Sequence, residues 1–146
     1  MEKALKTAPN GVVIKVAWLH YNDRRQVLFA RSRGQTAAYS VGGKPEAGET
    51  LEQDLIREAN EETGAELIPE TIKLYAYFEG PCHGYVEGTK LQMHCFTADY
   101  RGELKAQEGD NVEELVYLGV SDIKTGRTTD MGDQILDHLA YHGLVG

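Results

Sequence analysis

The apolar positions of this chain fall into extended and helical runs separated by turn formers. From Gly11 to Tyr21 the sequence GVVIKVAWLHY is β-branched and apolar. Asn22-Asp23-Arg24-Arg25 then breaks it before Gln26 to Arg31 resumes the pattern, which predicts a strand, a turn and a second strand. Residues 32 to 49 hold no apolar period and carry Gly34, Gly42, Gly43, Gly48 and Pro45, so they read as a long loop whose backbone shape matters. Thr50 with Gln53 three residues on forms a capping box, and Gly64 stands where a helix would end, which predicts a helix over 50–63. Ile72 to Glu79, Leu91 to Tyr100 and Val112 to Leu118 read as further strands, the first two separated by the turn-rich GPCHGYVEGTK. Thr129-Asp130 caps a last helical run containing Met131, Ile135, Leu136 and Leu139, which Gly143 stops. Strands interleaved with two helices predict an α/β layered domain with a mixed sheet, organised as a single unit over 1–146.

The helix over 50–63 is unusual in its charge. At about 100° per residue from Leu51, Leu55 and Ala59 extend an apolar stripe, while Glu58, Glu62 and Glu61 fall at roughly −20°, +20° and −80°, overlapping one edge of that stripe. Like charges at i,i+3 and i,i+4 destabilise a helix by a few tenths of a kcal/mol per pair, and by more where solvent is excluded. A solvated acidic face is the bland explanation. Hard divalent cations, Mg²⁺ or Mn²⁺, are the chemical one, because they select carboxylate and carbonyl oxygens.

Composition narrows the class. Hydrophobic residues make up 41% and charged residues 26% of 146, the balance of a globular chain that builds a core without staples. The net charge of −8 opposes binding by phosphate-backbone neutralisation, so no stable nucleic-acid complex is expected, and an anionic substrate would need a mediating cation. Cys82 and Cys95 are too few for a disulfide framework. The opening MEKALKTAPN has no apolar leader and no run approaches the ~20 residues that cross a bilayer, so the expectation is a cytoplasmic protein with no membrane partner.

Gly43, five residues, Glu49, seven residues, then Arg57-Glu58-Ala59-Asn60-Glu61-Glu62-Thr63-Gly64-Ala65 resembles the signature of the Nudix hydrolase superfamily, MutT-like proteins included. That signature is Gly, x5, Glu, x7, Arg-Glu, apolar, x, Glu-Glu, x, Gly, apolar, and every fixed position matches over residues 43–65. The resemblance implies an α/β/α sandwich and a hydrolase that cleaves phosphoanhydride bonds in nucleoside triphosphates or other nucleoside diphosphate-linked compounds, with Mg²⁺ or Mn²⁺. It implies that Glu58, Glu61 and Glu62 bind metal, helped by a backbone carbonyl at Gly42 or Gly43, and that Arg57 and Glu49 pair to hold the loop against the helix. Some members of the family recruit a further acid from outside the motif. Glu108, Glu113 and Glu114 are the candidates here, with Glu114 preferred because Glu114-Leu115-Val116-Tyr117 resembles a Glu-x-x-Trp stretch of the family. Which glutamate is the base stays open.

Arg31, Arg33 and Lys44 flank or enter the glycine-rich loop and are candidates for phosphate binding, against the plainer reading of solvated charge. Tyr39, Trp18 and Tyr77 are candidates for stacking a base, although an aromatic on a strand is more often core. Tyr39-Ser40-Val41-Gly42-Gly43 departs from the family's aromatic-x-Pro-Gly-Gly by placing valine where proline is common. Pro81, sixteen positions beyond Ala65, resembles the mark of ADP-ribose-cleaving members, and the same residue is also an ordinary turn former. Zinc is disfavoured, since Cys82-His83 and His94-Cys95 are adjacent pairs whose side chains point to opposite faces of an extended chain. His138 and His142 at i,i+4 lack an evident third ligand. The expected partner is a small-molecule nucleotide, a homodimer is compatible with the sequence, and a non-catalytic nucleotide sensor on the same fold is the alternative from another class.

Overall fold

The computed structural model describes residues 4–146, so the first three residues of the N-terminal stretch lie outside it. Among the described residues the strands are β1 (Val12–Trp18), β2 (Val27–Ser32), β3 (Tyr39–Ser40), β4 (Gly42–Gly43), β5 (Glu66–Leu67), β6 (Lys73–Pro81), β7 (Lys90–Thr97), β8 (Tyr100–Arg101) and β9 (Val112–Leu118), and the helices are α1 (Leu51–Thr63) and α2 (Asp130–Tyr141). A four-stranded sheet runs β4-β1-β7-β6, mixed because β1 lies parallel to β7 while the other pairs are antiparallel. A second sheet, β3-β2-β9, is antiparallel, and β5 pairs with β8 in a short ribbon.

The alternation in β1 and β2 explains the layering. Val13 and Ala17 of β1 join Val27 and Phe29 of β2 in one core, which α2 closes with Met131, Ile135, Leu136 and Leu139. Val16 and Trp18 join Leu28 and Ala30 in the other core, closed by Leu55 and Ala59 of α1. Residues of opposite parity thus feed opposite faces, and the helices cover both, giving the α/β/α sandwich. Fully enclosed side chains such as Leu55 and Leu136 each stabilise this arrangement by about 1.5–3 kcal/mol. No helix of the described residues is long and apolar enough to cross a membrane.

Local signals set the helix ends. Thr50 accepts from the Gln53 backbone N–H while the Gln53 side chain accepts from the Thr50 backbone N–H, and Gly64 closes α1 with its N–H on Asn60 O. Thr129 caps α2 by accepting from Gly132 N–H.

The structure departs from the sequence expectation at three places. The two strands about Asn22–Arg25 belong to different sheets and are joined at the turn by the bridge Tyr21 to Val27 and by Leu28 N–H on His20 O at 2.8 Å. The extended run after Leu91 breaks at Ala98-Asp99, where the Asp99 backbone N–H turns to the Thr71 hydroxyl, and resumes as β8. The long glycine loop is not structureless, since β3 and β4 pin it to β2 and β1, with Gly43 opposite Val16 and Gly42 opposite Ala17.

Candidate active site

The β1–β4 pairing brings the double glycine against the acidic face of α1. Gly42 has φ 149°, and a β-carbon there would run into the backbone carbonyl of Val16. At Gly43 a β-carbon would strike the carboxylate of Glu58. Only bare backbone lets the loop lie this close to both the strand and the helix.

Arg57 organises the acids around it. Its Nε donates to Glu49 Oε2 at 2.8 Å and its Nη2 to Glu49 Oε1 at 3.1 Å, a two-point grip that ties the loop to α1. Nη2 also reaches Asp54 Oδ1 at 2.6 Å, and Nη1 reaches Glu58 Oε1 at 2.6 Å and Glu61 Oε2 at 3.2 Å, with Glu46 at 3.8 Å. The hydrogen bonds from Arg57 hold the Glu49 carboxyl below the usual range, and those acids in turn raise the guanidinium further above its own. One cation thus serves five carboxylates, and further acids remain.

Glu62 is 2% exposed and accepts from Gly42 N–H at 3.4 Å. Burial, then a hydrogen bond with Glu58, then the Glu58 charge push its carboxyl well above the normal range, and burial raises Glu58 as well. Glu61 is more open, with its side chain 44% exposed.

Two acids join this group that the sequence reading did not select. Asp54 is fully buried, has one oxygen without a partner, and is pushed up to about 7 by burial and by the charge of Glu58. Its spacing of i,i+4 to Glu58 placed it on the same helical arc, but no fixed position of the motif marks it. Asp110 ends the short turn Glu108–Asp110, whose segment is bonded to the end of α1 through Gln107 N–H to Glu62 O and Lys105 N–H to Thr63 O. Burial and the Glu61 charge raise Asp110, and Asp110 contributes to raising Glu62.

Glu114 lies elsewhere in the hydrogen-bond network. It pairs in register with Arg31, whose Nε reaches Glu114 Oε1 at 3.4 Å and whose Nη1 reaches Glu113 Oε2 at 3.3 Å and Gln35 O at 3.1 Å. Arg31 thus faces two carboxylates. Arg33 is exposed on the turn that follows β2. Lys44 donates to Tyr85 Oη at 3.2 Å. Trp18 is enclosed core, its indole N–H on Ala98 O at 3.2 Å, and Tyr77 sits on β6 with its hydroxyl on Glu79.

Tyr39 faces the acids. Its hydroxyl takes a hydrogen bond from Ser32, and burial together with Glu62, Asp110 and Glu58 raises it. It also lines a pocket of about 180 Å³ that opens beside Gly42 and Gly43, with Lys15, Met93, Met131 and Pro81 among its walls. Lys15 is the residue that sequence reasoning passed over here, although a single charge inside the apolar β1 was a visible signal. At the rim, His83 Nε2 lies 2.7 Å from Asp130 Oδ2, joining the turn after β6 to the start of α2.

Among the described residues no three His, Cys, Asp or Glu side chains are drawn together as a finished metal cage. The donor chemistry nevertheless fits a hard divalent cation. It is all oxygen, it carries more acids than Arg57 can balance, and its two raised carboxyls, Glu58 and Glu62, lie against the backbone of Gly42 and Gly43.

Among solved structures, the fold is similar to a nudix hydrolase family member from Chromobacterium violaceum (TM-score 0.70, 21% identity, 92% of this chain and 80% of that one). It is similar too to the E. coli ORF135 protein (TM-score 0.66, 24% identity, 91% and 90%) and to the MutT protein of Methanosarcina mazei (TM-score 0.68, 19% identity, 96% and 99%). No curated protein matches the chain by sequence. The family model described as NUDIX domain matches residues 13–139, the stretch from the start of β1 to the last turn of α2 that contains every element of the site, and the chain therefore belongs to the Nudix hydrolase family.

Proposed function

We propose that this chain is a Mg²⁺- or Mn²⁺-dependent hydrolase of phosphoanhydride bonds in nucleoside triphosphates or other nucleoside diphosphate-linked compounds. The observation that carries this reading is the placement of Glu62, 2% exposed, and of Glu58 against the backbone of Gly42 and Gly43, an all-oxygen set on one face of α1.

Glu58, Glu61 and Glu62 hold the metal, with a carbonyl of the double glycine beside them. The bound cation supplies charge neutralisation of the diphosphate and acidification of water, worth several kcal/mol of transition-state stabilisation. Arg57 fixes the direction of the Glu58 and Glu61 carboxylates, and Glu49 fixes Arg57. A carboxylate then accepts the proton of the attacking water. Asp110, held against the end of α1, is better placed for work outside the motif than Glu114, which faces Arg31. The pocket lined by Tyr39, Lys15 and Met93 offers a planar ring an apolar seat with a single cation at its edge.

The test is phosphate and pyrophosphate release from deoxynucleoside triphosphates, oxidised dGTP, ADP-ribose, dinucleoside polyphosphates and nucleotide sugars, with Mg²⁺, Mn²⁺ or EDTA, alongside Glu62→Gln. Turnover that disappears with EDTA and in the variant is the expected result. No turnover of any compound, with a nucleotide still raising the melting temperature, would overturn it in favour of a nucleotide sensor.

A further inference from the structure

The chain carries five histidines, and among the described residues the only imidazole hydrogen bond is the one between His83 and Asp130. His20 is stacked on Trp18, and His94 has a buried Nδ1 without a partner. His138 and His142 differ from these. They stand one turn apart at the end of α2, and the nitrogens of the half-buried His138 still reach solvent. The hydrolase reading leaves both unused.

Helix geometry brings the two rings together. The His142 N–H still closes an α-helical turn on His138 O at 3.2 Å, so the two side chains leave the same face. Their ring centroids are 4.5 Å apart and the planes are tilted by 50°, so the rings are not stacked face to face. An ion held by two imidazoles lies about 2.0–2.1 Å from each nitrogen, which sets the nitrogens about 3 Å apart, a separation that rings this close can meet. Their neighbours restrain them. His138 makes edge contacts with Phe78 at 5.1 Å and Tyr75 at 6.0 Å, and His142 with Tyr141 at 5.2 Å, so less freedom is lost when an ion joins the pair.

Charge favours a cation at this place. Burial, then the charge of His142, lowers His138, which keeps it in the neutral form that ligates metal. The pair sits on the last turn of α2, at the negative end of the helix dipole, and the helix itself carries three aspartates and neither lysine nor arginine. Imidazole nitrogen selects Zn²⁺, Cu²⁺ and Ni²⁺, whereas Mg²⁺ takes oxygen. The acids of α1 thus offer a different chemistry, and the two helices close different cores of the sandwich.

We infer that His138 and His142 chelate one borderline divalent ion, Zn²⁺, Cu²⁺ or Ni²⁺, at the C-terminal end of α2. Among the described residues no third His, Cys, Asp or Glu joins the pair, so water fills the remaining positions of the bound ion, which makes it exchangeable rather than structural. The inference stands apart from the hydrolase reading and holds or fails without it.

Zn²⁺ is titrated into the full-length chain in excess Mg²⁺, following the imidazole Cε1–H signals of all five histidines by NMR. The His138 and His142 signals should move together and saturate at one ion per chain, while those of His20, His83 and His94 stay in place. His142→Ala, at an exposed position, should keep the melting temperature measured without zinc and lower the affinity read at His138 by tenfold or more. His142→Gln, which keeps a polar side chain, reads the same loss if alanine disturbs the helix end. His83→Ala should leave that affinity unchanged. Ni²⁺ and Cu²⁺ should compete with zinc for the pair, Cu²⁺ the more strongly, and Mg²⁺ alone should not shift it. Movement of one histidine of the pair without the other, zinc shifts confined to His83, or unaltered affinity at His138 in a folded His142 variant overturns the inference.

Discussion

Asp54 Oδ1 accepts from Arg57 Nη2 at 2.6 Å one turn along α1, and the aspartate is completely enclosed while the arginine is not. Burying a carboxylate is costly unless every lone pair is satisfied, and Asp54 Oδ2 has no partner. Burial and the neighbouring Glu58 charge therefore push the Asp54 carboxyl up to about 7. A carboxyl raised in the folded state keeps its proton where the unfolded chain loses it. Its contribution to stability is complete below about pH 4 and is lost as pH rises through about 7. Asp54→Asn keeps an acceptor for Arg57 without the charge. Its melting temperature should match the parent at pH 4 and exceed it by several degrees at pH 8, at about 1.4 kcal/mol for each pH unit crossed. Thermal melts of both proteins across that range, in EDTA, check the prediction; a constant offset would show that Asp54 stays ionised.

Metal binding should expel a proton. Burial raises the carboxyls of both Glu62 and Glu58, so a cation ligated by those oxygens would displace a proton held there. The apparent Mn²⁺ affinity should accordingly rise with pH between 6 and 8, by at most about tenfold per unit for a single proton. Calorimetry in two buffers of different ionisation enthalpy counts the protons released, and Glu62→Gln should reduce that count.

Gly42 and Gly43 should respond to alanine in different ways. At 42 the added methyl meets backbone, the Val16 carbonyl, at a positive φ, so the loss is in stability, roughly 1–3 kcal/mol. At 43 it meets the movable end of Glu58, so the fold should hold while the carboxylate is displaced and the melting shift given by Mg²⁺ shrinks. Gly109→Ala, which meets nothing within 4 Å, is the neutral control. Thermal melts of the three variants with and without Mg²⁺ separate the effects.

Much of this architecture was legible because local chemistry and global packing agree. The capping box of Thr50 and Gln53 announces α1, and the parity of VVIKVAW announces a strand buried on both faces. The glutamate arc is visible on a helical wheel, yet how deeply Glu62 is enclosed depends on β4, and two glycines carry no strand propensity by which β4 could be foreseen. Lys15 and Tyr85 are ordinary residues in the sequence, and only the sheet order sets one beside the double glycine and the other beside Lys44.

The clearest instance is the acid outside the motif. Glu113 and Glu114 lie on β9, and their alternation cannot say which meets what. The β2–β9 register brings Arg31 against both across more than eighty residues of sequence. The segment that carries Asp110 lies against the end of the glutamate helix because Gln107 and Lys105 bond to it, contacts that no spacing rule encodes. An exposed ion pair contributes about 0–1 kcal/mol, so Glu114→Gln should leave both stability and kcat nearly unchanged. A positioned proton acceptor contributes about 10²–10⁴-fold, so Asp110→Asn should lower kcat by at least tenfold with KM and melting temperature nearly constant. Steady-state kinetics of the two variants under saturating Mg²⁺ decide between them. A kcat loss in Glu114→Gln with none in Asp110→Asn would return the role to β9 and require Arg31 to release its partner during turnover.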